Sequence, residues 1–177
     1  INVLYIGRLM TDKGTTELLK AIEIIKKNNI NINFDLIGFA EEDNFLVRIK
    51  SMEEENLLKY HGLQKDVRPF LKKAHVLVNP TYHEGLSNVL LEASASGRPV
   101  LASKVPGCIE TFDEGLTGIG FEPRSVDSLV EAINKFAEIP YEKKVEMGKN
   151  ARLKVEKEYD RNIVVNASLK EIENILN

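Results

Sequence analysis

At 177 residues, 43% of them hydrophobic and 29% charged, the chain is long enough for one domain with its own core and too apolar for a disordered segment. A net charge of −3 lacks the basic excess of a nucleic-acid binder. One cysteine, Cys108, excludes an internal disulfide and a cysteine-built zinc cluster and fits a reducing, cytoplasmic setting, and no apolar run reaches membrane-spanning length.

Short β-rich runs alternate with segments of helical period. INVLYIG (1–7) reads as a buried strand; opening on a buried strand without a Met, it points to a piece of a longer chain, and no signal peptide precedes Ile1. Leu18, Leu19, Ile22 and Ile25 repeat on one helix face, with Thr15 or Thr16 as the expected cap. INFDLIGF (32–39) is the next strand, followed by a helix through Phe45, Leu46 and Ile49, a weak strand at 58–63 and a short helix over 66–74. Residues 75–81 and 99–103 read as strands on either side of a helix over 86–96, and 118–122 as the last strand. Three helices then cover 126–137, 141–159 and 161–176. In the last, Ile163, Val164, Ala167, Ile172 and Ile175 form an apolar stripe expected to pack on the core. The mixed charges from Glu142 to Glu158 read as a solvated helix face.

Repeated β–α units require crossover helices between parallel strands. The expected fold is therefore α/β: a single domain over 1–177 with a doubly wound, Rossmann-like parallel sheet of about six strands, helices on both faces and C-terminal helices. Ligands of such sheets bind beyond the carboxyl ends of the strands, which directs attention to the β→α loops.

Two of these loops carry charge in a pattern that points to chemistry. GRLMTDKG (7–14) places Arg8 and Lys13 around a loop that ends in Gly14 just before a helix, where free backbone amides attract anions such as a diphosphate. The alternative is that both are exposed loop charges. The spacing is neither a Walker A loop nor G-x-G-x-x-G, against an ATPase or NAD(P) reading. In HEGLSNVLLEASASGRPV (83–100), Glu84 sits at the mouth of a helix, and Ser87 is placed to cap it and to offer its hydroxyl to a phosphate. Glu92, flanked by Leu90, Leu91 and Ala93, is expected in a partly apolar environment, where a diol such as a ribose would satisfy it. The alternative is a carboxylate that reaches solvent or pairs with Arg98. Taken together, cations, helix starts and two carboxylates describe a site for a sugar nucleotide.

GRLMTDKG, then PTYHEGLSNVLLEASASGRPVLAS, then VPGCIETFDEGLTG resembles the C-terminal, nucleotide-sugar-binding half of family-4 retaining glycosyltransferases of GT-B architecture. Glu84 and Glu92 fit that family's E-x7-E motif in its context of strand, Pro, loop and helix. The resemblance implies that Arg8 and Lys13 hold the donor diphosphate and stabilise the leaving nucleotide, and that Glu84 contacts hydroxyls of the transferred sugar. By the same likeness Glu92 binds ribose, Gly7, Gly85, Leu86, Ser87 and Asn88 line the phosphates and sugar, and Gly62 marks the nucleobase. The implied substrate is a nucleotide-diphosphate sugar, built on UDP or GDP, with no cofactor and no metal; the chain has no Asp-x-Asp. Where the family has Gly-x-Gly-Pro after the second strand, this chain has Gly38-Phe39-Ala40-Glu41, which leaves the base open among uracil, guanine and adenine. His61, at a usually apolar position, His75 and His83 are expected to be structural or surface residues.

The implied partners are the nucleotide sugar and an acceptor domain preceding Ile1, without which the chain binds donor but turns nothing over. A lipid-linked acceptor would bring the parent enzyme to a membrane surface. Two other readings share the architecture: a non-catalytic binding or interaction module, and a different two-domain sugar-nucleotide enzyme such as an epimerase.

Overall fold

Residues 1–28 and 30–176 are described by the computed structural model, the side chains of Val164 and Leu176 excepted. Six strands, β1 (Asn2–Ile6), β2 (Asn33–Ile37), β3 (Lys59–Tyr60), β4 (Val76–Asn79), β5 (Val100–Ser103) and β6 (Gly118–Phe121), form one sheet in the order β3-β2-β1-β4-β5-β6. Every pairing is parallel. Helices α1 (Thr15–Lys27), α2 (Asp43–Glu54), α3 (Arg68–Lys73), α4 (Asn88–Ala95), α5 (Val126–Glu138), α6 (Tyr141–Glu158) and α7 (Arg161–Leu176), with short 3-10 turns at Thr11–Lys13 and Ile109–Thr111, complete the described elements. The expected doubly wound fold is present, and the weak strand at 58–63 is a two-residue edge strand paired to Asp35 and Leu36.

The two-residue period of β1 divides the core. Val3 and Tyr5 face one layer, made of Leu18, Ile22 and Ile25 from α1, Phe45 and Ile49 from α2, and Leu129, Ile133 and Phe136 from α5. Leu4 faces the other, with Leu71 from α3 and Leu90 and Ala93 from α4. Every residue of β4 and β5 is buried, as strands covered by helices on both faces must be. The chain winds outward from β1 through β2 to β3, then returns to β4 and winds the other way. The reversal opens a crevice beyond the carboxyl ends of β1 and β4.

Two local expectations are corrected. Helix α1 has Gly14 at its N-cap, without a side-chain capping bond; Thr15 instead donates its Oγ1 back to the Met10 carbonyl at 2.9 Å. Helix α7 does not pack on the core, since every side chain described from Arg161 to Ile175 is exposed. Both faces of the sheet are already covered, so the stripe of Ile163, Ala167, Ile172 and Ile175 has no core to meet; the side chain of Val164 lies outside those described. The charges of α6 pair along its own surface, Lys143 with Glu146, Arg152 with Glu156 and Lys154 with Glu158. No described helix is long and apolar enough to cross a membrane.

Ile22 has no solvent exposure and lies in the larger core layer. Replacing it with alanine is expected to lower unfolding free energy by about 2–5 kcal/mol through lost transfer energy and an unfilled cavity. Urea denaturation followed by circular dichroism measures this, with the native spectrum unchanged.

Candidate functional site

The crevice is built by loops that approach backbone to backbone. After β1, the chain passes through a 3-10 turn at Thr11–Lys13 and enters α1 from Gly14, whose φ is 68°. A Cβ on Gly14 would lie 2.0 Å from the Pro80 carbonyl oxygen, so only glycine lets this loop lie against the loop that follows β4. The Tyr82 amide donates to the Asp12 carbonyl at 2.9 Å, fixing the two loops in register. This contact delivers Lys13 Nζ to within 2.7 Å of Glu84 Oε1, with each side chain 21% exposed. Two residues 71 positions apart in the chain thus meet at the reversal point of the sheet.

A third loop closes from the other side. Gly107, at φ 82°, lies against the carbonyls of Glu84 and Gly85, and a Cβ there would come within 2.4 Å of the Glu84 oxygen. Its own carbonyl accepts from the Ser87 amide at 2.8 Å. The segment from Glu84 to Ser87 is therefore clamped between the loops that follow β1 and β5. Sequence reading gave Gly107 no role of its own, although the Pro106-Gly107 pair is a turn signal.

Ser87 occupies the N-cap of α4 but makes no side-chain capping bond. It is 2% exposed, and its Oγ accepts from Asn79 Nδ2 at 2.8 Å. The hydroxyl is thus turned inward, and the expected cap is absent because the buried amide of Asn79 claims it. The Ser87 amide is taken by Gly107. The helix leaves its next amides, at Asn88 and Val89, without intrahelical acceptors. Leu86 and Asn88 are exposed, and the position of a Cβ on Gly85 is open.

Glu92 is exposed, and its side chain makes no hydrogen bond or ion pair among the described residues. Leu90, Ala93 and Ser94 form the buried face of α4. The 3.6-residue period turns Glu92 to the opposite side, the side of Asn88 one turn earlier. The partly apolar setting expected for this carboxylate is therefore corrected to solvent. Arg98 does not pair with it; its Nη2 donates to the Lys72 carbonyl at 3.3 Å.

Arg8 stands at the carboxyl end of β1, exposed, with Nη1 3.0 Å from Glu41 Oε2. The Tyr5 hydroxyl donates to its carbonyl at 2.7 Å. Beside it the Gly7 amide donates to Ile37, the Leu9 amide to Phe39 at 2.8 Å, and the Glu41 amide to Leu9 at 3.1 Å. These bonds zip the first loop to the one after β2. The departure from the family's glycine-rich pattern thus has a structural role here: Glu41 holds Arg8. Gly62, at φ 64°, accepts from the Gly38 amide at 2.9 Å, with open space where a Cβ would stand. The sequence assigns no role of their own to Phe39 and Leu63, whose side chains are exposed beyond β2 and β3. Their signal is an apolar residue in a loop at the binding end of the sheet.

The remaining candidates have structural roles or none visible. His61 Nε2 lies 2.5 Å from Asp35 Oδ1, and its ring meets Phe70 edge-on. His75 Nδ1 accepts from the Asn2 amide, and burial together with nearby cations lowers its pKa, so the ring is neutral at pH 7. His83 is exposed. Burial, followed by the charge of Glu84, pushes the Cys108 thiol up to about 12, which leaves it unreactive as a nucleophile. Among the described residues no group of three or more His, Cys, Asp or Glu is placed to hold a metal.

A family model described as glycosyl transferases group 1 matches residues 1–154. The chain belongs to that family. It is 29% identical over 163 residues to the capsular polysaccharide biosynthesis glycosyltransferase CapM of Staphylococcus aureus, covering 90% of this chain and 42% of that protein. With an N-acetylgalactosaminyltransferase of Campylobacter jejuni acting on N,N'-diacetylbacillosaminyl-diphospho-undecaprenol, the identity is 27% over 168 residues, 95% of this chain and 43% of the relative. Among solved structures, a glycosyltransferase from Rickettsia africae superposes with a TM-score of 0.86 at 19% identity, covering 99% of this chain and 48% of that one. Anabaena HepE in complex with UDP-glucose gives 0.82 at 23%, covering 98% and 48%. These likenesses establish a GT-B-type Rossmann domain, and the chain spans less than half the length of each of these relatives.

Ser87→Ala removes the oxygen acceptor of the buried Asn79 amide and leaves it only the Cys108 sulfur at 4.0 Å. The substitution is expected to cost about 1–3 kcal/mol, read from the urea midpoint at constant slope.

Proposed function

We propose that the chain is the donor-binding half of a family-4 retaining glycosyltransferase, moving a hexose-type sugar from a nucleotide diphosphate to a glycan or lipid-linked acceptor. The observation that carries this reading is the Lys13–Glu84 contact at the reversal point of the sheet, in a chain of the glycosyl transferases group 1 family. The gross attraction of such a pair is offset by desolvation of both charges, so an incoming anion can exchange for Glu84 at modest cost. In this reading Lys13 and Arg8 take the diphosphate, joined by the free amides at the start of α4. Glu84, released from Lys13, turns to hydroxyls of the sugar.

As the bond from the anomeric carbon to the phosphate oxygen breaks, negative charge grows on the leaving nucleotide diphosphate. Oriented cations and amides stabilise that charge without a metal ion. Glu92, exposed and without a partner among the described residues, is available to a ribose diol, and Gly62 with Phe39 and Leu63 borders the nucleobase. The exposed stripe of α7 would pack on the acceptor domain. That domain would precede Ile1 in a longer cytoplasmic protein, and the chain alone would bind donor without turnover. A lipid-linked acceptor would draw the longer protein to a membrane surface.

Charge-assisted hydrogen bonds of roughly 1.5–3 kcal/mol each, set against the cost of immobilising a flexible ligand, place the dissociation constant on the order of 10 µM to 1 mM. Isothermal titration of the chain with UDP, GDP, ADP and their glucose or mannose conjugates tests this. Glu92→Ala is expected to weaken binding about tenfold or more; an unchanged affinity would remove Glu92 from the site, and a chain that binds no nucleotide diphosphate would overturn the reading.

A further inference from the structure

A cavity of about 890 Å³ lies at the end of the sheet away from this crevice. It opens where β4 and β5 begin, walled by the C-terminal ends of α3 and α4 and by α6. Its volume lies in the range of small-molecule sites. In a chain of net charge −3, the charged residues lining it are all lysine or arginine: Lys72, Lys73, Arg98, Lys144, Lys149 and Arg152.

Part of this charge has a structural task. Arg98 donates to the Lys72 carbonyl of α3, Arg152 to the Ala95 carbonyl of α4, and Lys144 to the carbonyls of Ala137, in the last turn of α5, and of Ile139, its C-cap. Each helix C-terminus carries roughly half a negative charge, and each is met by one of these cations. Arg152 also pairs with Glu156 at 2.6 Å. The ammonium groups of Lys72, Lys73 and Lys149 make no hydrogen bond or ion pair among the described residues, Lys149 acting on Glu146 only through its charge. The Arg98 guanidinium is held by a single 3.3 Å bond, and its Nε is buried without a partner, so it has donors to spare. Along α6 the cavity is lined by Tyr141, Val145 and Leu153, which are 67%, 38% and 61% exposed. A cationic mouth beside an exposed apolar wall fits an anion that carries a carbon body.

We propose that this cavity is a second ligand site, for an organic phosphate. The phosphoryl group would lie among Lys72, Arg98 and Lys149, where an arginine fork and point charges converge. The carbon body would lie against Tyr141, Val145 and Leu153. The same chemistry belongs to a soluble phosphate ester and to an anionic lipid headgroup.

The test titrates the 15N-labelled 177-residue chain with phenyl phosphate and with inorganic phosphate, and sediments it with phosphatidylglycerol or phosphatidylcholine vesicles. Phenyl phosphate is expected to shift amides of residues 95–98 and 141–153 and to bind more tightly than inorganic phosphate. Lys72→Glu and Lys149→Glu, both at exposed positions that leave the core intact, are each expected to weaken that binding about tenfold. Sedimentation with phosphatidylglycerol alone, lost in Lys149→Glu, would identify a lipid headgroup; shifts without sedimentation would identify a free phosphate ester. Shifts confined to residues 7–14 and 84–89 with no phosphatidylglycerol-dependent sedimentation would overturn the proposal, as would both variants binding like the parent. Donor binding at the crevice is read separately with UDP, so failure at either site is distinguishable from failure at the other.

Discussion

The carbonyl of Pro80 occupies the space that a side chain on residue 14 would need, and the carbonyl of Glu84 does the same to residue 107. These two backbone contacts hold three β→α loops together at the carboxyl end of the sheet. Lys13 reaches Glu84 because its loop lies flat on the loop after β4; any Cβ at residue 14 would lift it away. The inward-turned Ser87, bonded through its amide to Gly107 and through its hydroxyl to Asn79, fixes the other end of the same segment. Rigid support beneath a polar surface is what a binding site requires, since loosely held groups lose in ordering what they gain in contact.

Parallel topology also explains why cations gather at both ends of the molecule. Every crossover helix starts near the carboxyl ends of the strands and finishes near their amino ends. Positive helix termini therefore face the crevice and negative termini the opposite end. In the crevice, Arg8 and Lys13 add to that positive field and are paired with Glu41 and Glu84. At the far end Arg98, Lys144 and Arg152 answer helix carbonyls, and the lysines beyond them exceed what those carbonyls require. Similar charges thus arise from opposite electrostatic needs.

The fold was legible because hydrophobic period is a local property. Runs such as INVLYIG and HVLVNPT can be buried on both faces only within a parallel sheet, and the helical repeats between them supply the cover. Arg8, Lys13 and Glu84 could be assigned to β→α loops on the same ground. Glu92 shows where that reasoning stops. Its sequence neighbours are apolar, yet helical rotation sends Leu90 and Ala93 to the core and the carboxylate to solvent, and the phase of that rotation is set by which side of α4 meets the sheet. The stripe on α7 is likewise local and real, but whether it is buried depends on whether any core surface remains to receive it.

The sequence by itself determined the alternation of strands and helices, the parallel sheet they require and the loops that carry charge, because each follows from neighbours a few positions apart. Only the tertiary structure decided that Lys13 touches Glu84 rather than Glu41, that Ser87 points inward, and that six cations surround a cavity far from the crevice. Those outcomes join residues distant in the chain, and they rest on distances of a few ångströms that no local pattern encodes.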